Sequence, residues 1–87
     1  MKLMITIVRD MDCDNIVQTL LDHGFRVTRV ASTGGFLRKG NITLMSALED
    51  DKVKTAIDLL RQSGEPGEGF PHRATIFIVD MPYFEQI

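Results

Sequence analysis

The run Leu3-Met4-Ile5-Thr6-Ile7-Val8 decides the fold, because it is apolar at both odd-numbered and even-numbered positions. A strand with one buried face alternates apolar and polar residues, whereas a strand covered on both sides does not. The run therefore predicts a central strand near the start of the chain, with one layer packed against each of its faces.

A helix is predicted directly after this strand. Residues 10–14 are rich in aspartate, and Gly24 is a suitable C-terminal stop. Between them lies an apolar stripe with helical spacing, formed by Ile16, Val17, Leu20 and Leu21. We interpret the aspartates as helix-terminus charges and local caps.

The rest of the chain contains three more strand signals and one more helix signal. Strands are predicted at residues 25–31, 42–48 and 74–79, the last one stopped by Pro82. A second helix opens at Asp50 and Asp51 and ends at Gly64. Its buried stripe consists of Val53, Ala56, Ile57 and Leu60.

The resulting order, β-α-β-β-α-β, predicts an α+β fold: a ferredoxin-like sandwich with both helices on one face of a four-stranded antiparallel sheet. The other sheet face is left bare. A chain of 87 residues supports one domain, spanning residues 1–87, with a thin core. We therefore expect other copies of the chain to cover the bare face.

Composition excludes several functional classes. The net charge of −2 argues against broad binding to DNA, RNA or anionic membranes. No apolar run approaches the ~20 residues of a membrane helix, and the first residues do not resemble a signal peptide. Cys13 is the only cysteine, which is compatible with a reducing compartment. We expect a cytoplasmic protein without membrane insertion.

The most unusual segment is Thr33-Gly34-Gly35-Phe36-Leu37-Arg38-Lys39-Gly40-Asn41, because surface loops rarely present Phe and Leu together. Its glycines permit positive φ and could turn backbone N–H groups toward an anion. Phe36 could stack on a base, with donors from Arg38 and Asn41. Equally, Phe36 and Leu37 could plug a subunit interface, and the residues alone do not separate the two interpretations.

Arg26 and Thr28 share one face of the predicted second strand, about 7 Å apart by strand rise. An arginine can hold a phosphate through two parallel hydrogen bonds. The alternative is an exposed strand face that simply carries polar side chains.

The P-loop and EF-hand motifs are each excluded by residues at particular positions. Gly35 and Gly40 have P-loop spacing, but Asn41 and Ile42 stand where that motif requires Lys and Ser or Thr. The aspartates of residues 10–14 imitate an EF-hand opening, yet the terminal glutamate is replaced by Leu21. No metal-ligand spacing links the cysteine with the two histidines, and no catalytic triad is recognisable, so neither a metal nor an enzymatic activity is predicted.

The same element order also serves RNA-binding modules and acylphosphatase-like enzymes, and fold alone does not choose between them. Residues 42–48 contain no aromatic side chain for stacking on RNA bases. The loop after the first strand is acidic rather than a glycine-rich, arginine-bearing phosphate loop. Both classes are therefore disfavoured.

Three stretches resemble the PII-like cyclic di-AMP receptors, the nitrogen regulatory PII-like signal transduction proteins of bacteria. They are the opening residues 1–10, then Phe25-Arg26-Val27-Thr28, and above all the loop continued through Ile42 and Thr43. The resemblance implies a non-enzymatic, nucleotide-binding homotrimer that holds cyclic di-AMP in each cleft between subunits. It also implies a downstream protein partner, which it does not identify.

Carried over position by position, the resemblance implies a set of ligand-binding residues. They are Arg26, Thr28, Gly35, Phe36, Leu37, Asn41 and, near the carboxyl end, Gln86. In this interpretation Phe36 stacks on adenine, Asn41 hydrogen-bonds a base edge or backbone, and Arg26 complements the phosphate charge.

The chain departs from the family pattern in three places. Only residues 63–73 join the second helix to the last strand, where characterised family members have a much longer insertion. Gly24 and Ala47 replace an asparagine and a glycine near the ligand. The alternatives that these departures leave open are another adenine nucleotide, such as ATP, or a small regulatory or assembly subunit without nucleotide.

Overall fold

A computed structural model describes residues 1–30, 40–63 and 74–87, and its elements follow the predicted order. The strands are β1 (Lys2–Arg9), β2 (Thr28–Val30), β3 (Asn41–Leu48) and β4 (Ala74–Asp80), and the helices are α1 (Asp10–Asp22) and α2 (Val53–Gln62). A 3₁₀ turn, Asp50–Lys52, leads into α2. Within these parts of the chain, neither helix has the length and apolar character needed to span a membrane.

The four strands form one antiparallel sheet in the order β2-β3-β1-β4, so β1 is central as its sequence predicts. β1 pairs with β3 from Lys2↔Leu48 to Arg9↔Asn41. On its other side it pairs with β4, and Lys2 lies opposite Asp80. The Lys2 ammonium donates to the Asp80 carboxylate, which raises the pKa of Lys2 and lowers the pKa of Asp80. The predicted α+β fold, with two helices and a four-stranded antiparallel sheet, is confirmed.

The core lies between the helices and one face of the sheet. That face contributes alternate residues of β1 and β3, and each helix contributes part of the apolar stripe predicted from its spacing. Leu21, predicted to belong to the stripe of α1, is instead 48% exposed at the end of the helix. The buried apolar residues are Met4, Val8, Cys13, Ile16, Leu20, Leu44, Leu48, Ala56 and Leu60. Each large side chain among them contributes about 1.5–3 kcal/mol by leaving water.

The opposite side of the sheet, here called the open face, carries the other alternate residues of each strand. By strand register it consists of Leu3, Ile5, Ile7, Thr28, Val30, Thr43, Met45, Ala47, Thr75, Phe77 and Val79. Neither helix covers it, and Phe77 and Val79 remain 51% and 47% exposed. The open face is thus largely apolar in the single chain.

The start of α1 differs from the expected arrangement of caps. Its N-cap residue is Arg9, which makes no side-chain cap hydrogen bond. The carboxylate of Asp12, predicted to act at the helix terminus, instead accepts from Nε of Arg9 at 2.6 Å, and both side chains are buried. The start of α1 also contacts the residue that precedes β3, because the N–H of Asp10 donates to the carbonyl of Gly40 at 2.6 Å.

Two element boundaries also differ from the sequence prediction. The second strand was expected from residue 25, but pairing begins at Thr28 because the carbonyl of Arg26 accepts from the Ser46 hydroxyl rather than from a strand backbone. Gly64, expected to end the second helix, lies outside the described residues. The helix ends at Gln62, and the Ser63 hydroxyl donates to the Leu59 carbonyl at 2.7 Å.

Candidate functional site

A cavity of about 700 Å³ lies where β3 ends and β1 begins. This volume is within the range of pockets that bind small molecules. Residues from five parts of the chain line it: Met1 and Leu3; His23, Gly24, Phe25, Arg26 and Thr28; Met45, Ser46, Ala47, Leu48 and Glu49; Lys52 and Thr55; and Met81, Phe84 and Gln86. Distant segments of the sequence therefore meet in one concave site.

The end of α1 sets the direction in which the chain enters the cavity wall. Gly24 N–H donates to the Leu21 carbonyl and Phe25 N–H donates to the Leu20 carbonyl, both at 3.0 Å. This pair of bonds is a Schellman motif, which requires a left-handed residue after the helix cap. Gly24 fills that position with φ +84°. The reversal brings residues 25–27 beside β3, where the Ser46 hydroxyl donates to the carbonyl of Arg26.

Arg26 and Thr28 are held in this wall by contacts with β3. The Ser46 hydroxyl donates to the carbonyl of Arg26, and Thr28 lies opposite Met45 in the β2–β3 register. Thr28 therefore lies on the open face at the cavity. The Arg26 side chain is exposed and lines the cavity, which makes its guanidinium accessible to an anionic ligand.

The carboxyl-terminal tail, residues 81–87, forms the other side of the cavity. Met81 N–H donates to the carbonyl of Met1 at 3.1 Å, which ties the tail to the start of β1. The tail brings Met81, Phe84 and Gln86 to the lining, and Phe84 is 57% exposed. It thus supplies an aromatic ring to a mostly apolar wall.

The structure brings three of the predicted site residues together, since Arg26, Thr28 and Gln86 all line the cavity. Asn41 is half-buried at the far end of β3, opposite Arg9, and does not line it. The remaining predicted residues, Gly35, Phe36 and Leu37, lie outside the described residues. The two positions that depart from the family pattern, Gly24 and Ala47, both line the cavity.

Most of the lining was not predicted from the sequence, and Phe84, Lys52 and Thr55 are examples. Phe84 follows Pro82 in a stretch without periodicity, so only its aromatic character after a strand stop could have drawn attention. The sequence around Lys52 and Thr55 predicts only a solvent-exposed start of a helix, with no indication of function. Their proximity to Arg26 arises from the tertiary fold, and no local signal would have found it.

A metal centre has no candidate in the described parts of the chain. No group of three or more His, Cys, Asp and Glu side chains capable of holding an ion occurs there. Cys13 is buried in the core rather than in the cavity, and burial raises the pKa of its thiol.

Comparisons with known proteins identify relatives of the chain. The sequence profile of a family described as cyclic-di-AMP receptor matches residues 1–70, a range that contains every lining residue except those of the tail. A solved structure of a functionally unknown protein from Pediococcus pentosaceus ATCC 25745 is similar at 28% sequence identity, with a TM-score of 0.80. That likeness covers 99% of this chain and 96% of the other. Because the family match extends over most of its length, this chain belongs to the cyclic-di-AMP receptor family.

Proposed function

We propose that this protein is a non-enzymatic bacterial signal-transduction protein that binds cyclic di-AMP at the subunit interfaces of a homotrimer. The observation that carries the proposal is the convergence of Arg26, Thr28 and Gln86 on one cavity. Arg26 and Thr28 belong to one segment and Gln86 to another, 58 residues further along the chain, and the family resemblance implies ligand binding for all three. Membership of a receptor family for this nucleotide supports the same ligand.

The lining has the chemistry that an adenine dinucleotide requires. Arg26 offers a guanidinium that can hold a phosphodiester by two hydrogen bonds, and Thr28 adds a hydroxyl. Met45 and Phe84 provide apolar surface for a base. In the proposal, Gly35, Phe36 and Leu37 complete the site, and Phe36 stacks on an adenine. Asn41, which does not line the cavity of the single chain, contributes from a neighbouring copy in the trimer.

The open face supports the trimer. Exposed apolar side chains such as Phe77 and Val79 gain stability when another copy covers them, and a domain of this size has a thin core. The cavity adjoins this face through Leu3, Thr28, Met45 and Ala47. A neighbouring copy packed on the open face would therefore line part of the cavity and contribute contacts to the ligand.

The decisive experiment is calorimetric titration of the purified protein with cyclic di-AMP, with ATP and cyclic di-GMP as competitors at the same salt concentration. Saturable and selective binding near one ligand per subunit supports the proposal. Binding of ATP alone would replace it with the alternative adenine-nucleotide module. Absence of heat and of thermal stabilisation with every nucleotide would refute a nucleotide receptor.

Arg26→Ala is the matched test of the site. Loss of a charged hydrogen-bonding group is expected to weaken cyclic di-AMP binding about tenfold or more. Lys54→Ala is the control, because Lys54 is an exposed cation that does not line the cavity. Equal affinities of the two variants would show that Arg26 does not contact the ligand.

Phe36→Ala separates the two interpretations of the loop. Loss of binding with an intact trimer, measured by light scattering, supports base stacking. Loss of the trimer itself supports an interface plug.

A receptor leaves its ligand unchanged, so cyclic di-AMP should be recovered intact after prolonged incubation with the protein. A hydrolysed product would refute the non-enzymatic assignment.

The remaining parts of the proposal concern the whole chain. Residues 1–87 form one PII-like ferredoxin-fold domain that acts in the cytoplasm and relays occupancy to an unidentified protein. A single unfolding transition, coincident by fluorescence and circular dichroism, is expected for one domain. A partner that binds in a ligand-dependent way must distinguish the ligand-bound from the free state.

A further inference from the structure

The basic side chains of the described residues fall into two groups. One group forms ion pairs with carboxylates: Lys2 with Asp80, Arg9 with Asp12, Arg29 with Asp14 and Arg61 with Asp58. The other group, Arg26, Lys52 and Lys54, has no such carboxylate among the described residues. Of these, Arg26 and Lys52 line the same cavity.

These two cations enter the cavity from different elements. Arg26 is attached to β3 at Ser46, whose hydroxyl donates to its carbonyl. Lys52 ends the 3₁₀ turn, and its N–H donates to the carbonyl of Glu49 at 2.9 Å. Ser46 and Glu49 are three residues apart, which corresponds to about 10 Å along a strand. The backbone attachments of the two cations are therefore well separated, so they can contact different groups of one ligand.

The cavity is more positive than the chain as a whole. Its lining contains the side chains of Arg26 and Lys52 but only one carboxylate, that of Glu49, although the chain has a net charge of −2. Much of the rest of the lining is apolar and includes Leu3 and Phe84. Two separated cations and an apolar lining complement a ligand with two anionic groups and an apolar base.

We infer that Lys52 is a second anion anchor, which holds one phosphodiester of a cyclic dinucleotide while Arg26 holds the other. This inference rests on the proposed function and adds a residue that determines specificity. It explains how the site distinguishes a ligand with two phosphodiesters from a mononucleotide with one. A cyclic dinucleotide uses both cations, whereas cyclic AMP uses only one of them.

The test compares Lys52→Met, which keeps the aliphatic stem but loses the charge, with Lys54→Met as the control. Both positions are exposed, so neither change should shift stability by more than about 0.5 kcal/mol, which thermal unfolding would verify. Lys52→Met should weaken cyclic di-AMP binding about tenfold relative to Lys54→Met, and Lys52→Arg should retain most of the affinity. Added salt should reduce the difference in cyclic di-AMP affinity between Lys52→Met and Lys54→Met, because it screens exposed charges.

Cyclic AMP provides the specificity measurement. Lys52→Met should leave its affinity within about twofold of wild type, so the preference for the dinucleotide over the mononucleotide falls about tenfold. Equal cyclic di-AMP affinities of the Lys52→Met and Lys54→Met proteins would overturn the second anchor and leave the proposed function standing. If the wild-type protein binds no cyclic di-AMP, the proposed function fails, and the inference fails with it.

Discussion

Replacement of Gly24 tests the local geometry on which the cavity wall depends. At φ +84° an L-residue with a Cβ carries a conformational penalty of about 1–2 kcal/mol. A Cβ at this position would meet no atom within 4 Å, so steric overlap adds nothing to the penalty. Gly24→Ala should therefore lower the free energy of unfolding by about 1–2 kcal/mol, or the melting temperature by about 4–16 °C for a domain of this size.

Asparagine provides the matched comparison at the same position. Its side chain tolerates the left-handed region better than alanine, so Gly24→Asn should cost less stability than Gly24→Ala. It also restores the amide that the family resemblance implies near the ligand. One added hydrogen bond of about 0.5–1.5 kcal/mol corresponds to a gain in cyclic di-AMP affinity of about 2- to 12-fold.

Urea unfolding at one fixed protein concentration measures the stability effects, because the midpoint of an oligomer depends on concentration. Gly40→Ala serves as a control, since Gly40 has φ +95° and does not line the cavity; it should lose stability to a similar extent. If Gly24→Ala were as stable as wild type, the left-handed conformation of residue 24 at the end of α1 would be refuted. Equal losses for the alanine and asparagine variants would refute the conformational argument, and unchanged cyclic di-AMP affinity of Gly24→Asn would refute the gained contact.

Three further predictions concern stability and assembly. Asp12→Ala removes the buried partner of Arg9 and should lower the free energy of unfolding by about 3–5 kcal/mol, measured in urea; a loss below about 1 kcal/mol would mean that the pair is solvated. Burial raises the pKa of Cys13 above its ordinary value of 9.0, so the folded protein retains this proton more strongly than the unfolded chain. Its contribution to stability is complete below the ordinary pKa of 9.0 and is lost as the pH rises above it, so wild type should lose more stability than Cys13→Ala as the pH is raised above 9.0; parallel curves would contradict this. If the open face forms the interface of the proposed trimer, Phe77→Ser should shift the mass measured by light scattering toward that of a monomer, and an unchanged mass would argue that the open face is not the interface.

Much of the fold was accessible from local patterns, because hydrophobic periodicity reports which faces of an element are buried. The two-sided apolar character of β1 predicted its central place in the sheet, and the helical stripe ending at Gly24 predicted α1. The early start assigned to the second strand was wrong for a tertiary reason. β-branched residues favour extended backbone, but the bond from Ser46 to the carbonyl of Arg26 comes from a side chain distant in sequence.

The residues of the candidate site also fall into those identified from the sequence and those placed by the tertiary structure. Sequence alone determined the family resemblance, the element order and the candidacy of Arg26 and Thr28, because these depend on residue identity and on spacing along the chain. Only the tertiary structure decided that Lys52 and Phe84 share a cavity with Arg26. Neither residue has a local signal of function. Antiparallel pairing brings the start of β1 beside the end of β3, and the hydrogen bond from Met81 to Met1 ties the tail to the start of β1. Proximity of this kind depends on chain reversal over tens of residues, which no local pattern encodes.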